Sequence, residues 1–457
     1  MWRRSLNRPT TLFDYLDKIP QVLSSPFGLA ALAILLGLVC VILFNRYGVY
    51  LGIGMLLFTG IVNTGPGVEG MESDLALIGP LETFRSVAKA LFVLLAFVLA
   101  ARALLIEGKT GKPFNGAVIG WLALQGVYAL RFAVAGAWDR AILNFSFGLV
   151  LAVGIVGTLS RIIREMREIH RVFLALEISG LFFCGLSLVQ WRINPAPVLH
   201  GSRMQGLSEN PQFAGVLMST LVCICIYLAL SKTESLKKRL FHFACIIVFG
   251  SFLMWTGSRT AVLITAVGAA IQVRGKIMAW IGILLAGYVA FLLLGSSAGE
   301  SSGDLMDRLI SLQNTRAEAW ARSWDAFLAN ILFGDGRTLL ENSYLSAAAS
   351  MGLLGVAVLG AMIIAHGRSV FYVFMHRQWL GGDARLAYLV VALTAALGAG
   401  AMFEPFLLSI ATHATVTLLV LAAVAEAARD RILAAEYAGM PLQEALPEIT
   451  PNLQLDT

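Results

Sequence analysis

Long apolar runs, each broken by a short polar or basic stretch, recur along the chain from Gly28 almost to Ala425. A helix needs about 20 apolar residues to cross roughly 30 Å of hydrocarbon, and about 17 can suffice. Measured against that length, the runs at 29–44, Gly48–Val62, 86–106, 117–133, 141–159, 172–190 and 213–230 each predict a spanning helix. So do those at 243–256, 261–273, 277–295, 344–365, 386–402 and 406–424, which makes about 13, several of them short. No polar linker divides them, so one membrane-embedded domain over 1–430 is expected, followed by a polar cytoplasmic tail, 431–457, with Pro441, Pro447 and Pro451 and only partial order.

Basic loops set the orientation. The stretches 161–171, 232–239 and 274–276 are rich in Lys and Arg and are expected in the cytoplasm, which turns 191–211, 257–260 and 296–342 outward. The same alternation would put Arg3, Arg4 and Arg8 outside, against the rule. About 12 spans with both termini inside is therefore the expectation, with the miscount in the 29–62 region or at a re-entrant segment near Ala117. The first span would itself direct insertion, because residues 1–28 are polar and lack a small-residue cleavage pattern.

The external loop 296–342 is the one long element outside the apolar runs, and such loops are commonly functional. After Asn314 and Thr315, a candidate cap, Ala317, Trp320, Ala321, Trp324, Phe327 and Leu328 recur at three and four residues among Arg316, Glu318, Arg322 and Asp325. That spacing predicts an amphipathic helix on the membrane surface, with 304–312 a weaker second candidate.

Composition agrees: 58% of residues are hydrophobic and 14% charged, and mean hydropathy is +0.77. An ordinary soluble domain carries about 25% charged residues, so a soluble core is excluded. The net charge of +6 reflects cytoplasmic loops and gives no reason to expect nucleic acid. Cys40, Cys184, Cys223, Cys225 and Cys245 all lie in apolar runs and read as small core residues; no metal site is expected.

Arginine on outward helix ends runs against the same charge rule, and three outward segments carry it: 201–211, 256–259 and 334–344. The planar guanidinium binds phosphate oxygens bidentately and stays charged in any setting. Arg203, Arg259 and Arg316 would thus converge on a pyrophosphate, the alternative being that each reaches to lipid headgroups. His200, Arg337, Glu341 and Glu404 are the other outward ionisable candidates, while Asn210 and Asn342 read as loop supports. Glu177 and His413 fall inside spans, where an ionisable residue asks for a role.

These segments resemble the O-antigen ligase and O-antigen polymerase superfamily of bacterial envelope glycosyltransferases. Arg203-Met-Gln-Gly206 followed by Asn210-Pro211-Gln-Phe-Ala214 is similar to its R-x-x-G, N-P-N-x-x-A signature, and Ser258-Arg259 to its S-R-x. Arg316-Ala-Glu-Ala-Trp320, Phe333-Gly-Asp-Gly336, Asn342-Ser-Tyr-Leu345 and Gly352-Leu-Leu-Gly355 are similar to its external-loop pattern. The resemblance covers roughly 203–355 and departs at one place: Glu341 stands where the family carries His.

The resemblance implies an all-α, GT-C-like bundle in the bacterial inner membrane with its active site facing the periplasm. It also implies transfer of a glycan from a polyprenyl-pyrophosphate carrier to an acceptor glycan or glycolipid, with no cofactor and no metal, and polysaccharide-assembly proteins as partners. Arg203, Arg259 and Arg316 would hold the pyrophosphate and offset leaving-group charge, and Glu341 would act as base in place of His. Glu341 read as a loop carboxylate pairing Arg337 or Arg259 stays open, with His200 a substitute base. A transporter of lipid-linked sugars and an inactive scaffold relative stay open as well.

Overall fold

A computed structural model describes residues 26–62, 77–105, 114–134, 136–208, 210–231, 234–274, 316–336 and 342–439. Glu341, Arg337, the expected span at 277–295, the surface segment 304–312 and the tail beyond 439 lie outside the described residues. Within them the chain is helical: α1 Pro26–Phe44, α2 Gly48–Val62, α3 Gly79–Leu105, α4 Gly116–Val134, α5 Trp138–Ile162 and α6 Met166–Ile193. There follow α7 Pro211–Leu230, α8 Leu236–Trp255, α9 Arg259–Gln272, α10 Ala317–Ala329, α11 Ser343–Met375, α12 Arg385–Ala401 and α13 His413–Ala438. One short antiparallel hairpin, β1 Leu199–His200 and β2 Arg203–Met204, precedes α7.

Seven of these helices, α3 to α8 and α11, are long and apolar enough to cross a membrane. A short turn at Arg377–Asp383, bent by 108° against α12, would make an eighth span of that pair. The described residues therefore do not reach the expected twelve. None of the seven lies in the 29–62 region. The 29–62 region is two helices, α1 and α2, packed together and joined at Asn45 to Tyr47, and 117–133 lies within the single helix α4.

Large apolar side chains face outward along the bundle, among them Ile34, Leu143, Phe182, Ile364 and Phe371, each more than half exposed. In water such a surface would aggregate; against lipid it costs nothing. The inward faces close through small residues. A Cβ on Gly215 would come within 2.8 Å of the Ala261 Cβ, and one on Gly268 within 2.4 Å of Cys223 Sγ. That closeness lets Ser219 on α7 bond the Ala261 carbonyl of α9 at 2.7 Å. Of the candidate spans α7 is the most buried, packed on α6, α8, α9, α12 and α13.

Two of the expected basic loops, 161–171 and 232–239, lie together at one end, where His170 meets Glu234. Arg46 and Arg171 both pair with the buried Glu168, Lys238 and His170 pair with Glu234, and Arg431 donates to the Arg164 carbonyl. Arg431 belongs to α13, which continues past residue 431 to Ala438 and ends on Gly439 in a left-handed conformation. Deeper from that end His242 Nδ1 meets both oxygens of the fully buried Glu177, at 2.8 and 3.0 Å, and Cys225 Sγ donates to the same carboxylate at 3.2 Å. Glu177 is therefore paired within the bundle. Cys225 is a bonded core thiol, and Cys40 is exposed on the bundle surface.

Two helices depart from the predicted runs. The run at 406–424 becomes helical only at His413: residues 406–412 fold back, with the Leu407 amide bonded to Ser343 Oγ, and Thr412 caps α13. α11 is broken at Gly352, where φ is +66° and ψ −157°. The loop after α10 fills the break, since the Asp335 and Gly336 amides donate to the Ala349 and Ser350 carbonyls and the Leu353 amide to the Ile331 carbonyl. Broken backbone is tolerated at membrane depth only where protein satisfies it.

Candidate functional site

The end opposite the basic loops collects the outward segments. Arg203 follows a two-residue turn whose first residue, Gly201, has φ +62°; β1 and β2 pair His200 directly with Arg203. Arg203 is 7% exposed, and its Nε donates to the Thr256 carbonyl at 2.7 Å. Three residues beyond that carbonyl, Arg259 opens α9 behind its cap Ser258, and it is half-buried. The R-x-x-G and S-R segments are thus brought together by one side-chain bond.

Arg316 occupies the N-cap position of α10, so the predicted cap at Asn314 and Thr315 gives way to it; its main chain caps the helix with no side-chain cap bond. Its guanidinium is turned into the site. It donates to Glu404 Oε1 at 2.8 Å and to Gln212 Oε1, and it lies 5.8 Å above the Phe403 ring. Glu404 is 4% exposed, and its carbonyl accepts from Ser343 Oγ at 2.5 Å, which fixes it to the start of α11. Glu404 is therefore a buried carboxylate in direct contact with Arg316.

Four helix N-termini meet here, each capped by its own side chain. Asn210 accepts from the Gln212 amide, Ser258 from Ala261, Asn342 from Tyr344 and Leu345, and Thr412 from Thr415. The first turn of α7 joins them: Gly215 abuts Ser258 and Ala261, Gln212 takes Arg316, and Phe213 packs edge-on against His413 at 6.2 Å. Asn210 and Asn342 each use Oδ1 to accept from backbone amides of the helix they begin. Helix N-termini carry partial positive charge, and this end sets four of them near the guanidiniums of Arg203, Arg259 and Arg316.

Three residues absent from the sequence candidates belong to this end. Gln212 and Phe403 flank Arg316. Arg131, in the last turn of α4, donates to the Gly334 carbonyl at 2.7 Å and holds the loop that fills the α11 break. Arg131 carried the same signal as the others, an arginine at an outward helix end. His200 has no side-chain hydrogen bond among the described residues. His413 is 1% exposed, and neither ring nitrogen has a hydrogen-bond partner there.

No protein-family model matches this chain, and no curated protein matches it.

Proposed function

We propose that the chain is a membrane glycosyltransferase that transfers or polymerises a glycan from a polyprenyl-pyrophosphate carrier at the outer face of a bacterial inner membrane. The observation that carries the reading is the gathering of Arg203, Arg259 and Arg316 around the capped start of α7, at the end away from the basic loops. In the reaction the acceptor hydroxyl oxygen bonds to the anomeric carbon, the bond from that carbon to the pyrophosphate oxygen breaks, and polyprenyl pyrophosphate leaves. Arginines and helix N-termini stabilise the charge that grows on the leaving pyrophosphate. The proton of the acceptor goes to Glu341; Glu404, paired with Arg316, serves to aim that arginine. A polymerase, with another carrier-linked repeat as acceptor, is favoured over a ligase.

The test is purified protein with a polyprenyl-pyrophosphate oligosaccharide. Release of polyprenyl pyrophosphate together with a longer or transferred glycan is the expected result. A transporter of lipid-linked sugars is the second reading, supported by the broken α11 and the buried Glu177–His242 pair. Movement of the lipid across the bilayer with no new glycosidic bond would replace the first reading with the second.

A further inference from the structure

At the basic end a cavity of about 240 Å³ opens between the first turns of α6 and α8. Arg167, Arg171 and Lys238 line it together with the apolar side chains of Leu174, Leu228 and Phe241. On α6, Arg167, His170, Arg171 and Leu174 are spaced three and four apart, so one helix face supplies cations near its start and an apolar side chain a turn deeper.

These cations stand where helix stability does not want them. α6 and α8 begin at Met166 and Leu236, and their N-caps, Glu165 and Ser235, make no side-chain cap bond. Arg167 on α6, and Lys237, Lys238 and Arg239 on α8, occupy the first turns, where the helix dipole favours negative charge. At the site end α7, α9, α11 and α13 each start on a side-chain cap. Glu234 and His170 also face the cavity, and the carboxylate is already shared between Lys238 at 2.9 Å and His170 at 3.2 Å. Arg171 is taken by Glu168 at 3.1 Å, whereas Arg167 is exposed and makes no ion pair among the described residues.

The geometry points to a binding site for the phosphodiester headgroup of an anionic phospholipid, with the phosphate at Arg167 and Lys238 and an acyl chain along Leu174 and Phe241. The apolar walls decide for a lipid over free phosphate. They continue onto the bundle surface, where Leu174, Ile178, Leu240 and Phe241 are 37 to 60% exposed. Basic pockets between spanning helices are suited to such headgroups. The site lies at the end opposite the arginine cluster and is independent of the transfer reaction.

Delipidated full-length protein in neutral detergent is titrated with phosphatidylglycerol, phosphatidylcholine or inorganic phosphate, reading retained lipid by native mass spectrometry and Tm by thermal unfolding. Phosphatidylglycerol should be retained and raise Tm; phosphatidylcholine and phosphate should not. Arg167→Gln with Lys238→Gln should weaken phosphatidylglycerol binding roughly thirtyfold. Arg368→Gln, an exposed arginine late in α11 and outside the cavity, should leave it unchanged. Equal retention of both lipids, or full retention by the double variant, overturns the proposal. So does an equal loss in Arg368→Gln, which would mean diffuse surface charge, and an equal rise in Tm with phosphate alone, which would mean a free-anion site.

Discussion

Arg316 and Glu404, far apart in sequence, form a 2.8 Å ion pair with side chains only 12% and 6% exposed, and this pair joins the surface helix α10 to the turn between α12 and α13. Removing one member of such a pair leaves a buried charge without its partner. Glu404→Ala should lower stability by about 3–5 kcal/mol, and Glu404→Gln by less because the amide still accepts from Arg316. In a double-mutant cycle, Arg316→Ala with Glu404→Ala should cost less than the sum of the singles, read from thermal unfolding in detergent.

The break in α11 depends on one glycine. Gly352 has φ +66°, and a Cβ there would meet the Leu332 carbonyl carbon at 2.4 Å. Gly352→Ala should cost at least about 1–3 kcal/mol and free the loop that carries Gly334. Gly360, on the same helix with nothing within 4 Å, is the control; its alanine variant should be neutral or slightly stabilising.

Arg203 should tolerate no cation swap. Its Nε donates to the Thr256 carbonyl, which fixes the plane of the guanidinium, and the point charge of lysine cannot copy that fixed plane. Arg203→Lys and Arg203→Ala should both reduce glycan transfer about 10²- to 10³-fold at unchanged expression. Near-full transfer by the lysine variant would reduce the role of Arg203 to charge alone.

Glu177 and His242 form a buried pair in which each depends on the other. His242→Ala leaves a buried carboxylate with only weak thiol donors, Cys225 and Cys245, against it among the described residues, and should destabilise by about 3–5 kcal/mol. Glu177→Met with His242→Leu together should recover most of that stability. If the transporter reading holds, the same double variant should abolish translocation despite folding well.

At the basic end the pH dependence has a definite sign. Burial pushes the Glu234 carboxyl up, but the Lys238 ammonium and His170 outweigh it and hold the group below its ordinary 4.5. A depressed carboxyl stabilises the fold above its unfolded value and loses that contribution as pH falls through the folded one. Tm should therefore be flat near neutrality and decline below about pH 4.5, and Lys238→Gln should flatten the decline.

Helices such as α6 and α7 were legible because an apolar run of spanning length has one low-energy state in lipid, with every backbone group bonded internally. The face of the surface helix was less legible. Trp324 and Leu328 are about half exposed, as the amphipathic pattern predicts, but the side packed on the bundle is Ala319 and Ser323, which the apolar count passed over. Small residues are selected there for close approach, and hydropathy does not register that.

The candidate site divides in the same way. Arg203, Arg259 and Arg316 stood out from the chain by local information: a cation at an outward helix end is out of place wherever the rest of the protein lies. Gln212, Phe403 and the promotion of Glu404 from bystander to partner had no local signal, since each matters only because Arg316 arrives from about a hundred residues away. Composition, apolar period and charge placement were enough to determine a multi-span helical membrane protein with anomalous arginines on one side. Only the tertiary structure decided which groups those arginines meet and that four capped helix starts share their end. Such contacts come from packing helix against helix, and the chain does not encode them within any one segment.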